Sequence, residues 1–377
     1  MKILESKNYD IEALRAYAIL ITIVAHFVEL IPEWASWISF FWLGGGVDLF
    51  FAISGFLIAK SLLELADRQQ KFWRFAAIFW VKRIFRLWPA ALFWSTITLI
   101  IYAMINPENL RASHDMVWQS WIFAALNVEN IYIYFCIQET GCKQTPIWHY
   151  WSLSNEEQFY VLLTFMLFFS PASLRRWLII PCFLAAMAQV LTVRPWGTLL
   201  WFIRSDAMFF GTIIALSWHY YGAYMHKLQS KIPRGALQAL VLVAMALVIL
   251  VARDEVSIRY HGLVAIFSGL TVMAVSSNRN LLTHQKPTRT FLSFIGSRSY
   301  SIYLVHFPVF VLMRDVIIST NWLDLTVQLD RIAMTFIAIM ITLILSDFSY
   351  RYVENPLRKW GREKSTKIQS SPELQPS

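Results

Sequence analysis

Ten apolar runs recur along this chain, near 11–31, 43–62, 88–106, 156–171, 176–192, 197–218, 235–252, 260–276, 299–314 and 330–350. Runs of that length suit a helix crossing a hydrocarbon core about 30 Å thick. In lipid every backbone polar group must be satisfied internally, which leaves helix bundles and closed barrels. The runs are too long and too uniformly apolar for barrel strands. The expected fold class is therefore all-α, a polytopic transmembrane bundle of about ten spans. Composition agrees, with 57% hydrophobic and only 15% charged residues in 377, outside the usual range of soluble domains. Glu12 and Arg15 interrupt the first run and no small-residue cleavage site follows, so this run is expected to stay as a span and not to act as a cleaved signal. One membrane domain, residues 1–357, accounts for nearly all of the chain. Residues 358–377 are polar, include Pro372 and Pro376, and read as a disordered cytoplasmic tail.

Orientation follows from the basic residues. With alternating sides, 25 of the 33 Lys and Arg fall on the side of the N-terminus and tail, 7 on the other, and Arg204 within a span. Both termini are thus expected in the cytoplasm. The formal charge of +9 is explained by anionic headgroups, and no nucleic-acid partner is implied. The largest outward loop, 107–154, holds Cys136 and Cys142, which could form a disulfide on that side or stay reduced. Cys182 lies in the fifth run and reads as packing.

His26 follows Arg15 by eleven residues in the first run. Eleven residues is close to three helical turns, so the two share a face about 16 Å apart along the axis. An ionisable residue at this depth is costly and reads as functional by default. Single membrane histidines also serve helix packing, and spacing alone leaves both readings open. If the first run leads outward, Arg15 lies near the cytoplasmic surface and His26 in the outer half. The second run returns from Leu43 and brings Asp48 to a similar depth. A carboxylate there would fix the imidazole tautomer and support its cation in general-base work; Asp48 could equally cap or solvate the Gly44, Gly45, Gly46 start of the helix. Ser54 and Gly55 permit close helix approach first and substrate contact second.

Arg83 and Arg86, three apart before Trp88 and Pro89, share a helical face where two guanidinium groups could hold a phosphorylated ligand. A basic flank of a span is the plainer alternative. Trp148 to Tyr160 (WHYWSLSNEEQFY) stands at the outer end of the fourth run. Its carboxylates and aromatic rings, with Trp151 and Tyr160 among them, suit hydroxyl recognition and sugar stacking, while aromatic-belt anchoring explains Trp148 and Trp151 equally well. Ser154 and Glu157 also fit a capping box, which would leave Glu156 the freer carboxylate. Arg204 and Asp206 fall near the middle of the sixth run and point apart, so each needs a partner elsewhere in the bundle. His306, with Tyr300 and Tyr303 before it, reads as packing or as a cytoplasmic-side ligand contact. Asp347 and Arg351, four apart, read as a structural ion pair. No phosphate-binding glycine loop, metal-spaced His/Cys cluster or nucleophile elbow occurs, so a nucleotide hydrolase, zinc enzyme or serine hydrolase is disfavoured.

Taken in order, these motifs resemble the membrane-bound acyltransferase-3 family. They are Arg15 and His26, Gly46 to Leu57 (GVDLFFAISGFL), Arg83 and Arg86, Trp151 to Tyr160, Arg204-Ser-Asp206 with Gly211, Ser299 to His306 (SYSIYLVH), and Tyr352 to Pro356 (YVENP). Asn155 stands where a small apolar residue is more usual. The resemblance covers roughly Asn8 to Trp360. It implies a multi-pass enzyme of the bacterial inner membrane that takes an acyl group, most often acetyl, from cytoplasmic acyl-CoA. The acceptor would be a hydroxyl of an exopolysaccharide, O-antigen or related glycan, and no permanently bound cofactor is implied. Under it, His26 is catalytic, as general base or as acyl carrier, and Arg15, Arg83 and Arg86 bind the donor. The residue pattern adds Asp48 and Glu156 to the catalytic set, and Trp151, Glu157, Tyr160, Arg204 and Asp206 to acceptor binding. Some relatives append a hydrolase-like domain outside the membrane; this sequence, ending about 25 residues after its last run, is expected to lack one. The rival reading is a proton-coupled secondary transporter or exporter, since His26, Asp48, Arg204 and Asp206 could line a proton path. The internal repeats common in transporters are not visible. A catalytically silent membrane scaffold would not bind CoA, and the placement of the arginines argues against it.

Overall fold

The computed structural model describes residues 8–38, 43–67, 71–105, 111–251, 257–320 and 327–370. Among these the chain is all-helical, with no strand. In order the helices are α1 (Tyr9–Ala25), α2 (Phe27–Leu30), α3 (Ala35–Ile38), α4 (Gly45–Ala66), α5 (Phe72–Met104), α6 (His114–Ala125), α7 (Glu129–Gln138) and α8 (Tyr150–Phe169). There follow α9 (Ile179–Val190), α10 (Leu199–Phe202), α11 (Asp206–Ser230), α12 (Arg234–Leu250), α13 (Tyr260–Val275), α14 (Lys286–Thr320), α15 (Gln328–Ser349) and α16 (Asn355–Ser370).

Helix occupies all ten apolar runs, but the expected count of about ten spans is not what the structure supports. Among the described residues five helical segments are long and apolar enough to cross a membrane, or six if the α11–α12 pair, bent by 106°, is one span. The shortfall has local causes. α9 has 12 residues, about 18 Å at 1.5 Å per residue, well short of a 30 Å core. α13 has 16. α8 carries Asn155, Glu156, Glu157 and Gln158 in its first half. Large apolar side chains nevertheless face outward, including Phe183 and Leu184 on α9, Val243 on α12, and Phe336 and Ile344 on α15. A surface this apolar suits lipid and not water.

The two ends of the bundle sort the chain as the basic residues do. At one end the buried Asp10 carboxylate accepts from the Leu281 and Leu282 amides at 2.7 and 3.0 Å and from the Thr283 hydroxyl. At that end too, Asp67 meets Arg175 and His219. At the other end Glu29 pairs with Arg111 at 2.7 Å and accepts from Gln144.

The central contact is α4 against α11. A side chain at Gly55 would strike the Met208 backbone, and one at Gly211 would strike the Ala52 carbonyl and the Phe56 amide. Two glycines thus let the backbones touch, as in close-packed membrane helices. This bears out the packing read from Gly55, while Ser54 turns elsewhere.

The segment expected to be a disordered tail from 358 is helical through Ser370; residues 371–377 lie outside the described residues. α16 lies along the first half of α5. Gly361 sits against Phe85, Ser365 donates to the Ile78 carbonyl at 3.0 Å, and Arg74 donates to the Gln369 carbonyl at 2.9 Å. Gly361 and Ser365, four apart, face α5, while Lys359, Arg362, Glu363, Lys364 and Lys367 are exposed. An overall polar composition hides that pattern.

Candidate functional site

α1, α4, α5, α8 and α14 enclose a cavity with about 1000 Å³ of space between its walls, counting its open mouth. Arg15, Ser54, Arg83, Arg86, Glu156, Glu157, Tyr300 and Tyr303 all line it. α5 begins at Phe72 and runs unbroken through Pro89, so Arg83 and Arg86 lie inside a helix and not on a flank before a span. The Arg83 guanidinium stands 4.0 Å from Glu156 and 4.4 Å over the ring of Tyr160. Arg15 has Glu12 at 3.8 Å. Three cations from two helices therefore face one space, the arrangement phosphate groups need.

Several expected roles are relocated. Glu156 does not sit with the outer aromatics; Ser54 donates a hydrogen bond to it and Arg83 flanks it, inside the cavity of the arginines. The Ser154–Glu157 capping box does not form, because α8 already starts at Tyr150. Ser154 instead accepts from the Glu129 amide at 3.1 Å, and Glu157 is free to line the cavity. Outside the membrane-crossing helices, Glu129 is itself fully buried, and that burial pushes its carboxyl well above the usual range although Ser120 donates to it.

Asp48 does not reach His26. It accepts two hydrogen bonds from Arg204, Nε at 3.0 Å and Nη2 at 3.2 Å, with both side chains buried. Arg204 is also not mid-span: α10 ends at Phe202, the chain turns, and Asp206 opens α11. Gln189 caps that opening by accepting from the Ser205 and Asp206 amides. The expectation that Arg204 and Asp206 each need a distant partner holds, since Asp206 pairs with Arg194 at 2.5 Å. Trp151 and Trp201 lie against the Arg204 guanidinium at 4.8 and 4.5 Å. Trp151, Arg204 and Asp206 thus form a second buried cluster beside Asp48, apart from the cavity that holds Tyr160's partner Arg83. Asn155 donates to the Arg204 carbonyl at 2.5 Å and so holds this turn against α8. Asp347 pairs with Arg351 as expected, and Arg298 joins them. Cys136 and Cys142 are disulfide-bonded, and Cys182 is buried and free.

His26 ends α1. Its φ/ψ of −88° and 2° break the helix before α2, the bridge region in which many active-site residues sit. Its partner is His306 on α14: His26 Nδ1 lies 3.0 Å from His306 Nε2. Phe307 meets the His26 ring edge-on at 5.1 Å, and the His149 ring lies 5.6 Å from that of His306. The cavity reaches Phe50 and Tyr303, and Tyr303 is 5.5 Å from His306, ring to ring. His26 therefore sits behind the wall in which the arginine cavity ends. Sequence reasoning missed His306 as this partner. The bounds of the ninth run, which put His306 seven residues from its cytoplasmic end while His26 lies five from the outer end of its own, gave no signal for this pairing.

A family model described as an acyltransferase domain matches residues 8–351. The O-acetyltransferase OatA of Staphylococcus aureus strain NCTC 8325 is 28% identical over 377 aligned positions, covering 93% of this chain and 57% of that protein. OatA of strain COL matches to the same extent. The chain thus spans little more than half the length of the curated relatives it matches. No solved structure matches it. The family match covers nearly the whole chain, and the chain belongs to this acyltransferase family.

Proposed function

We propose that this member of the acyltransferase family is a membrane O-acyltransferase that moves an acyl group, in the first instance acetyl, from cytoplasmic acyl-CoA to a hydroxyl of an envelope or secreted glycan. The observation that carries the reading is the gathering of Arg15, Arg83 and Arg86 on one cavity whose far wall, at Tyr303, backs onto the His26–His306 pair. The phosphates of CoA would meet the three guanidinium groups, and the thin pantetheine arm would run along α1 toward His26. Relatives named O-acetyltransferase support the acyl class. The segregation of basic residues supports a cytoplasmic mouth, in a bacterial inner membrane.

His26 then works on the acceptor. As general base it takes the hydroxyl proton while the oxygen attacks the thioester carbonyl; the C–S bond breaks, and the thiolate recovers the proton from the imidazolium. Glu156, held by Ser54 and Arg83, sets the electrostatics of the donor cavity and does not meet the acceptor. Asp48, Arg204 and Asp206 hold the outer end of the bundle in shape. The test is transfer of labelled acetyl from acetyl-CoA by the full-length protein in lipid, with mass spectrometry of the cell's glycans with and without the gene. His26→Ala and Arg83→Ala, at normal expression, are expected to abolish or sharply reduce acylation. Unchanged acylation in both would sink the proposal, and solute flux independent of CoA would favour a transporter.

A further inference from the structure

Two hydrogen bonds in series fix which nitrogen of His26 can react. His306 Nδ1 lies 3.1 Å from the carbonyl oxygen of Ile302, one turn earlier in α14. A carbonyl can only accept, so His306 Nδ1 carries a proton. His306 is fully buried among Tyr303, Phe307 and Phe310. Neither His306 nor His26 has a carboxylate in ion-pair range among the described residues. An unpaired imidazolium there would bear a large desolvation cost, so His306 is neutral and its Nε2 is a bare acceptor. His26 Nδ1, 3.0 Å away, must then be the donor.

We infer that His306 is a positioning residue that locks His26 in its Nδ1–H tautomer and so leaves Nε2 as the only lone pair available for acyl transfer. Ile302 O, His306 and His26 form a chain with one permitted direction. The inference rests on His26 being the group at which transfer occurs. When Nε2 takes the acceptor proton, the positive charge is shared across the Nδ1–H bond to the neutral His306, the place an orienting carboxylate holds in a Ser-His-Asp triad. The proton returns from Nε2 to the leaving thiolate, so His306 neither gains nor loses one in the cycle. Phe307 and His149 pack against the pair and hold both rings in place. Asp48, assigned this orienting task from its depth, is engaged by Arg204 and unavailable for it.

The test uses the full-length protein in lipid with ¹⁵N-labelled histidine, the His26 signal being identified by its loss in His26→Ala. Wild-type His26 is expected to show a protonated Nδ1 and a bare Nε2, and Nε2–H in its place would overturn the inference. His306→Leu, which removes the acceptor, is expected to lower kcat by about 100-fold or more, within the range one general base supplies, with donor KM within about twofold. His306→Gln offers a carboxamide oxygen near the lost Nε2 and is expected to recover kcat to within about tenfold of wild type. Unchanged kcat in His306→Leu, or a Gln variant no better than Leu in folded protein, refutes the role. If His26→Ala stays active while the tautomer is as stated, the function assigned to His26 fails and the hydrogen-bond chain stands.

Discussion

Removing the carboxylate of Asp48 separates the two roles that sequence and structure give it. In the structure the Asp48 and Arg204 side chains are 1% and 3% exposed, joined by two hydrogen bonds of 3.0 and 3.2 Å. The guanidinium is held between Trp151 and Trp201. Asp48→Ala leaves that guanidinium buried without its counter-ion, and breaking one partner of such a pair costs about 3–5 kcal/mol. At 1.4 kcal/mol per decade, this is roughly a 100- to 4,000-fold fall in the folding equilibrium constant. Replacing both partners by apolar residues of similar size is often neutral, so Asp48→Leu with Arg204→Met should recover most of the loss. The coupling between the two sites would then be about 2 kcal/mol or more, well above the scatter of independent sites. Equilibrium unfolding in mixed micelles, followed by tryptophan fluorescence, measures the parent, Asp48→Leu, Arg204→Met and the double variant as the four members of the cycle, with Asp48→Ala beside them. Additive costs, or an Asp48→Ala protein as stable as its parent, would refute the buried pair. A stable Asp48→Ala protein that has lost acylation would return Asp48 to the catalytic set.

Two further expectations follow from packing and from the cavity. Gly211→Val forces Cβ into the Ala52 carbonyl and Phe56 amide of α4 and should destabilise by several kcal/mol, whereas Gly235→Ala, with nothing within 4 Å, should match or exceed the parent by up to about 1 kcal/mol; equal unfolding midpoints for both would refute the close α4–α11 contact. Arg83→Lys keeps the charge but loses the planar group over Tyr160, so donor KM should rise about tenfold or more in an acetyl-CoA titration, given about 1.5–3 kcal/mol for a charged hydrogen bond, and an unchanged KM would remove Arg83 from the donor site.

The sequence by itself determined the class of fold, because an apolar run of about 20 residues has few ways to satisfy its backbone in lipid. It also carried the motif order of the family. Arg15, Arg83 and Arg86 were legible as one group, since helical spacing and charge segregation are local properties. Pairing across the bundle was not. Depth brought Asp48 and His26 to comparable levels and left His306 on the cytoplasmic side, but depth does not say which faces meet, and rotation about each helix axis is set by packing. Gly55 and Gly211 seat α4 on α11, and the turn at 203–205 carries Arg204 onto Asp48. The break of α1 at His26 and the course of α14 bring His306 to the imidazole in its place. The count of ten spans is not confirmed for a related reason: whether 12 or 16 apolar residues cross a membrane depends on the helices around them, as in α9 and α13. Composition could say that this chain belongs in a membrane; only its tertiary packing decided which charges are spent on one another and which are left to face the cavity.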